Sequence, residues 1–342
     1  MAALSDSSEF SIPLQMSKSR LFVAERRRDA HSLSQAHDAW YGELLTQPGL
    51  EYGKSLLKKF DGMNLAAFVL PRAGWKETLD IGICMTAVVA LDDLFDAEVA
   101  SRPTAEQIIA VAMSASPGRT DSPFLRLWES VVERSAAAYG PYWERFVREG
   151  LSGWARVSDA KELRPERIDD FQTYLTLRRT DFGIDLIPVS LEFATGIELS
   201  DLRGDSHFEA FHQAVSNHAV LVNDLMSFRN EYYTGEQMNA LFVLQRCEGM
   251  PIQEAADKVC REVAAAEDEF FSRASSLLES HPGRRKELGR YIEDWRHVLG
   301  GHMAWEFSST RYNGKDHVWD GSIPERITIT PDRTIFSGAP VS

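Results

Sequence analysis

Cysteine is scarce in this chain of 342 residues: Cys84, Cys247 and Cys260 are the full set, and no two stand in a C-x-x-C spacing. An odd number without that spacing argues against a disulfide framework and a thiolate zinc site, and a reducing, cytoplasmic setting is expected. No run of about 18 apolar residues occurs, and the opening MAALSDSSEFSIPLQ lacks a charged leader followed by an apolar stretch, so neither export nor a membrane span is expected. Positive charge is in deficit. With 37 Lys and Arg against 51 Asp and Glu, the formal net charge is −14, which disfavours non-specific attraction to nucleic acid or anionic membrane. A partner held by phosphate must therefore meet a local cationic site. The nine histidines form no H-E-x-x-H spacing, His212 and His218 read as helix-surface or core residues, and no glycine-rich phosphate loop or Ser-His-Asp grouping stands out.

Strict two-residue alternation is also nearly absent, whereas helical periodicity runs almost throughout. The fold is read as all-α, with helices near 34–46, 52–60, 74–98, 104–115, 122–138, 140–158, 165–195, 205–232, 236–248, 251–279 and 284–312. Breakers such as SASPGRTDSP (114–123) and SHPGRR (280–285) separate them. No fixed-period repeat and no long Pro/Gly linker divides the chain, so 1–342 is expected to form one domain. The tails, 1–20 and 315–342, carry little periodicity and are expected to be flexible unless docking or ligand orders them.

One apolar run ends in acid. Residues 88–98, VVALDDLFDAE, place Asp92 and Asp96 four apart, about 40° from each other around a helix, with Asp93 to the side. Like charges so placed repel, and the apolar IGICMTAVVAL before them marks a buried helix, so the carboxylates are expected to open into a cavity and to need a cation. Hard divalent ions with oxygen ligands, Mg²⁺ above all, are the usual counter-charge. A second polar ridge lies in VNDLMSFRNEYY (222–233): Asn223, Ser227 and Glu231 follow at four-residue steps, a stripe about 12 Å long offering amide, hydroxyl and carboxylate oxygens. Further on, the helical pattern of RRTDFGIDLIP (178–188) is interrupted by Gly183 and Pro188, which predicts a bend.

LDDLFDAE and NDLMSFRNE together resemble the signatures of the class I terpene synthases, D-D-x-x-D and N-D-x-x-S-x-x-x-E, and in particular bacterial and fungal cyclases of about this length. The resemblance extends to Arg178, which stands 45 residues before Asn223, and to the pair Arg311-Tyr312, 80 residues after Glu231. It covers some two-thirds of the chain. It implies a single α-helical domain around a central active-site cavity, three Mg²⁺ ions and a linear prenyl diphosphate substrate, the enzyme being a carbon–oxygen lyase. By the family pattern Asp92 ligates two ions with Asp96 as a lesser contributor, and Asn223, Ser227 and Glu231 hold the third. Arg178, Arg311 and Tyr312 bind diphosphate. Asp181 links the sensing arginine to the helix break, where Phe182 or Gly183 helps to trigger ionisation.

Elementary chemistry agrees with that reading. Diphosphate leaves carbon only if its growing charge is neutralised, and the allylic carbocation left behind needs a dry pocket faced by aromatic rings. Candidate rings are Phe68, Trp75, Phe95, Phe182, Trp305 and Phe307, with Trp305 preferred for standing six residues before Arg311. Two departures from the family pattern stand out. Arg229 and Asn230 stand where many relatives carry a diphosphate-contacting Lys before the Glu, and Gly82, Cys84, Val88 and Val89 stand where many fifteen-carbon cyclases place larger rings. The substrate is therefore read as either farnesyl or geranylgeranyl diphosphate, giving a sesquiterpene or a diterpene. A prenyl chain-elongating transferase is the runner-up, disfavoured because a second D-D-x-x-D is replaced by the Asn223/Ser227/Glu231 set, and a non-catalytic helical protein is a distant third. Monomer and homodimer are both compatible with the sequence.

Overall fold

The computed structural model describes residues 9–16, 19–23, 25–46, 62–96, 102–114, 122–160, 164 and 167–330. Its helices in chain order are α1 (Ala30–Leu44), α2 (Gly62–Val69), α3 (Trp75–Asp96), α4 (Ala105–Ser114), α5 (Pro123–Tyr139), α6 (Tyr142–Arg145), α7 (Ser152–Asp159), α8 (Phe171–Asp181), α9 (Ile187–Thr195), α10 (Ser206–Thr234), α11 (Ala240–Glu248), α12 (Ile252–Ser280), α13 (Arg285–Ser308) and α14 (Thr310–Asn313). The fold is all-α apart from one ribbon, β1 (Phe10–Pro13) paired antiparallel with β2 (Arg326–Ile329).

Capping residues set the ends of the helices that matter for the site. Asp170 and Asp205 each turn a carboxylate onto the first free N–H groups of α8 and α10, and the Asn239 amide oxygen does the same for α11. Gly235, at φ 79°, stops α10 in the left-handed conformation that other residues adopt only with strain. The two longest helices, α10 and α12, lie along one another; α13 packs on both and on α2, and α3 packs on α2 and α5. Two glycines permit the closest approach. A Cβ on Gly300 would strike the Leu21 carbonyl, and one on Gly301 the Phe68 carbonyl, so α13 sits directly against backbone on two sides.

Two apolar clusters fill the interior. One is built from α1–α7 with parts of α9, α10, α12 and α13; the other joins α8, α10, α11 and α12 to the ribbon. Phe22, Phe182 and Trp319 touch both. Phe182 thus lies on the seam between them, and the polar groups described below gather around it.

Several expectations are corrected. The segment 62–69, left unassigned by periodicity, is the helix α2, seven of whose eight residues are buried, so it has no polar face to betray a period. The helix expected over 284–312 breaks at Ser309, whose extended backbone (ψ 131°) ends α13 and whose hydroxyl caps α14. Within 140–158 the chain loosens into a π-helical turn at Phe146–Leu151. The expected helix 52–60 lies outside the described residues. Part of each tail is ordered by pairing: Phe10 stands opposite Ile329, and Ile12, Ile327 and Ile329 are buried. Among the described residues, no helix is long and apolar enough to cross a membrane.

Candidate active site

The bend expected from Gly183 and Pro188 is present. Helix α8 ends at Asp181, and Gly183 takes φ 75°; a short 3-10 turn, Ile184–Leu186, then leads into α9, which carries Pro188 in its first turn. Any Cβ at 183 would sit 3.2 Å from the Trp154 indole, so the position is constrained by conformation and by space. The break leaves Phe182 projecting at the end of α8, its ring 5.5 Å from the Arg178 guanidinium and 5.7 Å from the His302 ring.

Arg178 is the hub of the groups around it. Its Nη1 donates to Asp181 at 3.0 Å, its Nε to Asp224 at 3.2 Å and its Nη2 to Asn223 Oδ1 at 2.8 Å. Burial alone would lower the pKa of this guanidinium. The charges of Asp224 and Asp181 and the Tyr174 hydroxyl outweigh it, so the group is held above its ordinary value. Burial raises the carboxyls of Asp181 and Asp224, and Arg178 opposes that rise in both. Asp224 is further held by the Tyr174 hydroxyl at 2.5 Å and the Ala240 N–H at 3.1 Å.

On α10 the ridge Asn223, Ser227 and Glu231 faces the same space. Asn223 Nδ2 donates to Glu306 Oε1 at 2.6 Å and lies 3.3 Å from the Tyr312 hydroxyl. Ser227 Oγ is buried with no hydrogen-bond partner. Glu231 accepts from the Asn239 amide at 2.7 Å. Burial and the neighbouring charge of Asp224 push its carboxyl up to about 7, against the pull of Arg178.

Tyr312, 8% exposed, is pushed up to about 12 by burial and stands edge-on to Trp305 with ring centroids 5.5 Å apart. Arg311 precedes it on α14, half-buried. Arg229 donates to the Asn313 carbonyl at 3.1 Å, tying α10 to α14 beside a small cleft that Tyr312 and Arg326 also line. Asn230 is half-buried on the last turns of α10. Asp92 lies half-buried on the last full turn of α3, while the side chains of Asp93 and Asp96 lie outside the described residues.

The candidate rings separate. Phe182 and Trp305 belong to this cluster, and Phe95 packs at 5.9 Å on Trp154, the indole that backs Gly183. Trp75 is 40% exposed and hydrogen-bonded to Ser32; Phe307 is buried among Phe22 and Trp319 in the second core cluster; Phe68 lies under Arg26. These three are set by packing or solvent rather than by the site. The small residues separate too. A Cβ on Gly82 would meet Met63 on α2, and Cys84 is buried beside Ser135 on α5, which leaves Val88, buried, and Val89, half-buried, as the small residues placed toward Asp92.

Residues 84–269, more than half of the chain, match the family described as terpene synthase family 2, C-terminal metal binding. The chain belongs to this family. A (3S,6E)-nerolidol synthase from Selaginella moellendorffii is 28% identical over 294 residues, 83% of this chain and 79% of that protein. A sesquiterpene synthase from Cyclocybe aegerita is 28% identical over 152 residues, 44% of this chain and 42% of that one. In three dimensions a hedycaryol synthase superposes with a TM-score of 0.69 at 20% identity, covering 83% of this chain and 95% of that one. The protein is a terpene synthase that acts on a prenyl diphosphate and depends on a divalent metal, which decides between cyclase and chain-elongating transferase in favour of the first.

The donor set of the synthase fits a hard cation. Ser227 presents an unengaged buried oxygen, and Glu231 is a carboxylate whose pKa is raised first by burial and then by the charge of Asp224, a penalty that a cation would relieve. Sequence reasoning did not single out Tyr174, Asp224, Asn239, His302 or Glu306. Asp224 carried a signal, as the second residue of the N-D-x-x-S-x-x-x-E motif, and Tyr174 stands one turn before Arg178. His302 and Glu306 stand one turn apart and flank Trp305 in a stretch whose period is that of an ordinary core helix, so only the fold reveals them.

Proposed function

We propose that the synthase ionises farnesyl diphosphate, a fifteen-carbon substrate, and cyclises the resulting cation to a sesquiterpene. The observation that carries this is the hydrogen bond joining Arg178 to Asn223, which supports reading the guanidinium as the diphosphate-binding cation and the amide as a metal ligand of the same site. In this reading Asp92, with Asp96 assisting, and Asn223, Ser227 and Glu231 would hold three Mg²⁺ ions, which would supply positive charge against the leaving diphosphate. Arg178, Arg311 and Tyr312 donate to diphosphate oxygens. Asp181 holds Arg178 in register with the break, and the backbone at Phe182 and Gly183 responds to the arginine's movement. Phe182, Trp305 and Phe95 keep water from the cation and offer it ring faces, each well-placed ring contributing roughly 0.5–2 kcal/mol.

Chain length is supported from two directions. The relative from Cyclocybe aegerita is a sesquiterpene synthase, and the burial of Gly82 and Cys84 against α2 and α5 removes two of the four positions that argued for a roomier cavity. The three cysteines, unpaired among the described residues, fit a reducing cytoplasmic compartment. Incubation with ten-, fifteen- and twenty-carbon diphosphates and Mg²⁺, followed by mass analysis of the extract, should give a fifteen-carbon hydrocarbon or alcohol. A main product of twenty carbons would overturn the assignment of length and return Val88 and Val89 to the centre of the argument.

A further inference from the structure

Glu306 is fully buried in α13, yet only one of its carboxylate oxygens is well used. Oε1 accepts from Asn223 Nδ2 at 2.6 Å and meets His302 Nε2 at 3.1 Å; Oε2 is buried without a hydrogen-bond partner. Burying an unsatisfied carboxylate oxygen is costly, and an apolar residue of similar volume would fill the space at less expense. A group retained at such cost in a packed helix calls for an explanation other than stability.

Asn223 supplies it. An asparagine amide can sit either way round, and only one orientation presents its oxygen to a cation. Here both ends are fixed by chemistry. Arg178 can only donate, so Oδ1 faces it at 2.8 Å, and a carboxylate can only accept, so Nδ2 faces Glu306. When Arg178 turns to diphosphate, nothing on that side would keep the amide from flipping except the bond to Glu306, since the Tyr312 hydroxyl at 3.3 Å can donate as well as accept. His302 Nε2 meets the same carboxylate oxygen, and its own ring packs edge-on to Phe182 at the helix break. We propose that Glu306 is a positioning residue for the metal site on α10: it orients the Asn223 amide so that Oδ1 remains available to the ion.

This rests on Asn223 being a metal ligand, and the two claims separate by experiment. Mn²⁺ binding in the presence of inorganic pyrophosphate, followed by electron paramagnetic resonance of the free ion, reads the site without turnover. Outer partners of metal ligands typically change affinity by about 10–100-fold. Glu306→Leu, which removes the acceptor, and Glu306→Asp, which withdraws it, should each weaken Mn²⁺ binding at least about tenfold, and Glu306→Gln, whose amide can donate as well as accept and so no longer dictates the orientation, should weaken it at least about threefold. Circular dichroism and thermal unfolding identify any variant that fails to fold; if Glu306→Leu does, the near-isosteric Glu306→Gln decides. Affinity equal to the parent's in Glu306→Asp or in Glu306→Gln overturns the inference. Asn223→Ala is the control: if it too binds Mn²⁺ like the parent, the ligand assignment itself falls, whereas loss there without loss at Glu306 removes the positioning role alone.

Discussion

Two buried carboxylates of this synthase are treated in opposite ways. Glu192, on α9, has both oxygens taken: Arg203 donates to Oε1 at 2.6 Å, while Arg145 at 2.9 Å and the Leu199 N–H at 3.2 Å reach Oε2. Glu149 and Glu198 complete the arrangement around the two arginines. Glu306, equally buried, shares one oxygen between two donors and leaves the other orphaned, and Ser227 on the neighbouring helix is orphaned as well. A region whose polar groups satisfy one another is finished when the chain folds. One with spare bonding capacity is finished by something that arrives later.

The contrast breaks most visibly at Glu192. Glu192→Ala leaves two half-buried arginines with only Glu149 and Glu198 as partners, and urea unfolding should register a loss of about 1–3 kcal/mol. Specific activity of the protein that remains folded should be unchanged, because no site residue is touched. The reverse pattern is expected for Asn223→Ala, where turnover should fall at least a hundredfold, about 2.7 kcal/mol in the barrier, with helix content and melting temperature close to the parent's. A matched fall in stability would place Asn223 on the structural side of the comparison.

Adjacent arginines sharpen it further. Arg178→Lys keeps the charge and loses the planar fork that reaches three partners at once, so turnover should drop by about tenfold or more. Arg179, half-buried and bonded to Asn217, should tolerate the same change with less than about a threefold effect. An inverted order would shift the sensing arginine by one residue and take Asp181 out of its linking role.

The smallest effect concerns acid. His212 lies among Phe208, Phe211, Tyr291 and Trp295, accepts the Tyr291 hydroxyl at 3.1 Å, and is pushed down from 6.5 to about 3 by burial and by the charge of Arg203. Between those values the unfolded chain binds a proton here that the native one does not, so native stability falls as pH drops through the window. His212→Gln removes that proton uptake. Its melting temperature should decline less than the parent's between pH 6.5 and 4, by a few degrees. Parallel pH profiles would show that the acid limb arises elsewhere.

Much of the site was legible because chemistry and helical geometry coincide there. Asn223, Ser227 and Glu231 share a stripe by spacing alone, and the bend at Gly183 follows from the one residue that takes φ 75° without strain. The family signature carried Arg178, whose contact with Asn223 no periodicity could give. What stayed hidden was set by long-range packing. Trp75 and Trp305 are the same residue type, each on a long helix, and only the neighbours decide that one is exposed and the other enclosed. Glu306 was invisible for the converse reason, as a lone acid in an apolar stretch whose partner lies 83 residues away in sequence. The break at Ser309 escaped notice because serine is tolerated within helices as well as at their starts.

The ribbon at the ends of the chain bears on the metal helix more than its four-residue strands suggest. Tyr233, two residues beyond Glu231, holds residue 330 just past β2 in a reciprocal pair of bonds, donating to the Thr330 carbonyl at 2.5 Å and accepting from its N–H at 2.7 Å. On the other strand, Phe10 lies edge-on to Tyr232. The C-terminal end of α10 is therefore moored from both strands of the ribbon, and its last turn borrows rigidity from segments that α10 itself does not encode. Thr330, just past β2, is 97 residues distant from Tyr233 along the chain and a single hydrogen bond distant in space, so the ribbon is, in mechanical terms, part of the metal helix.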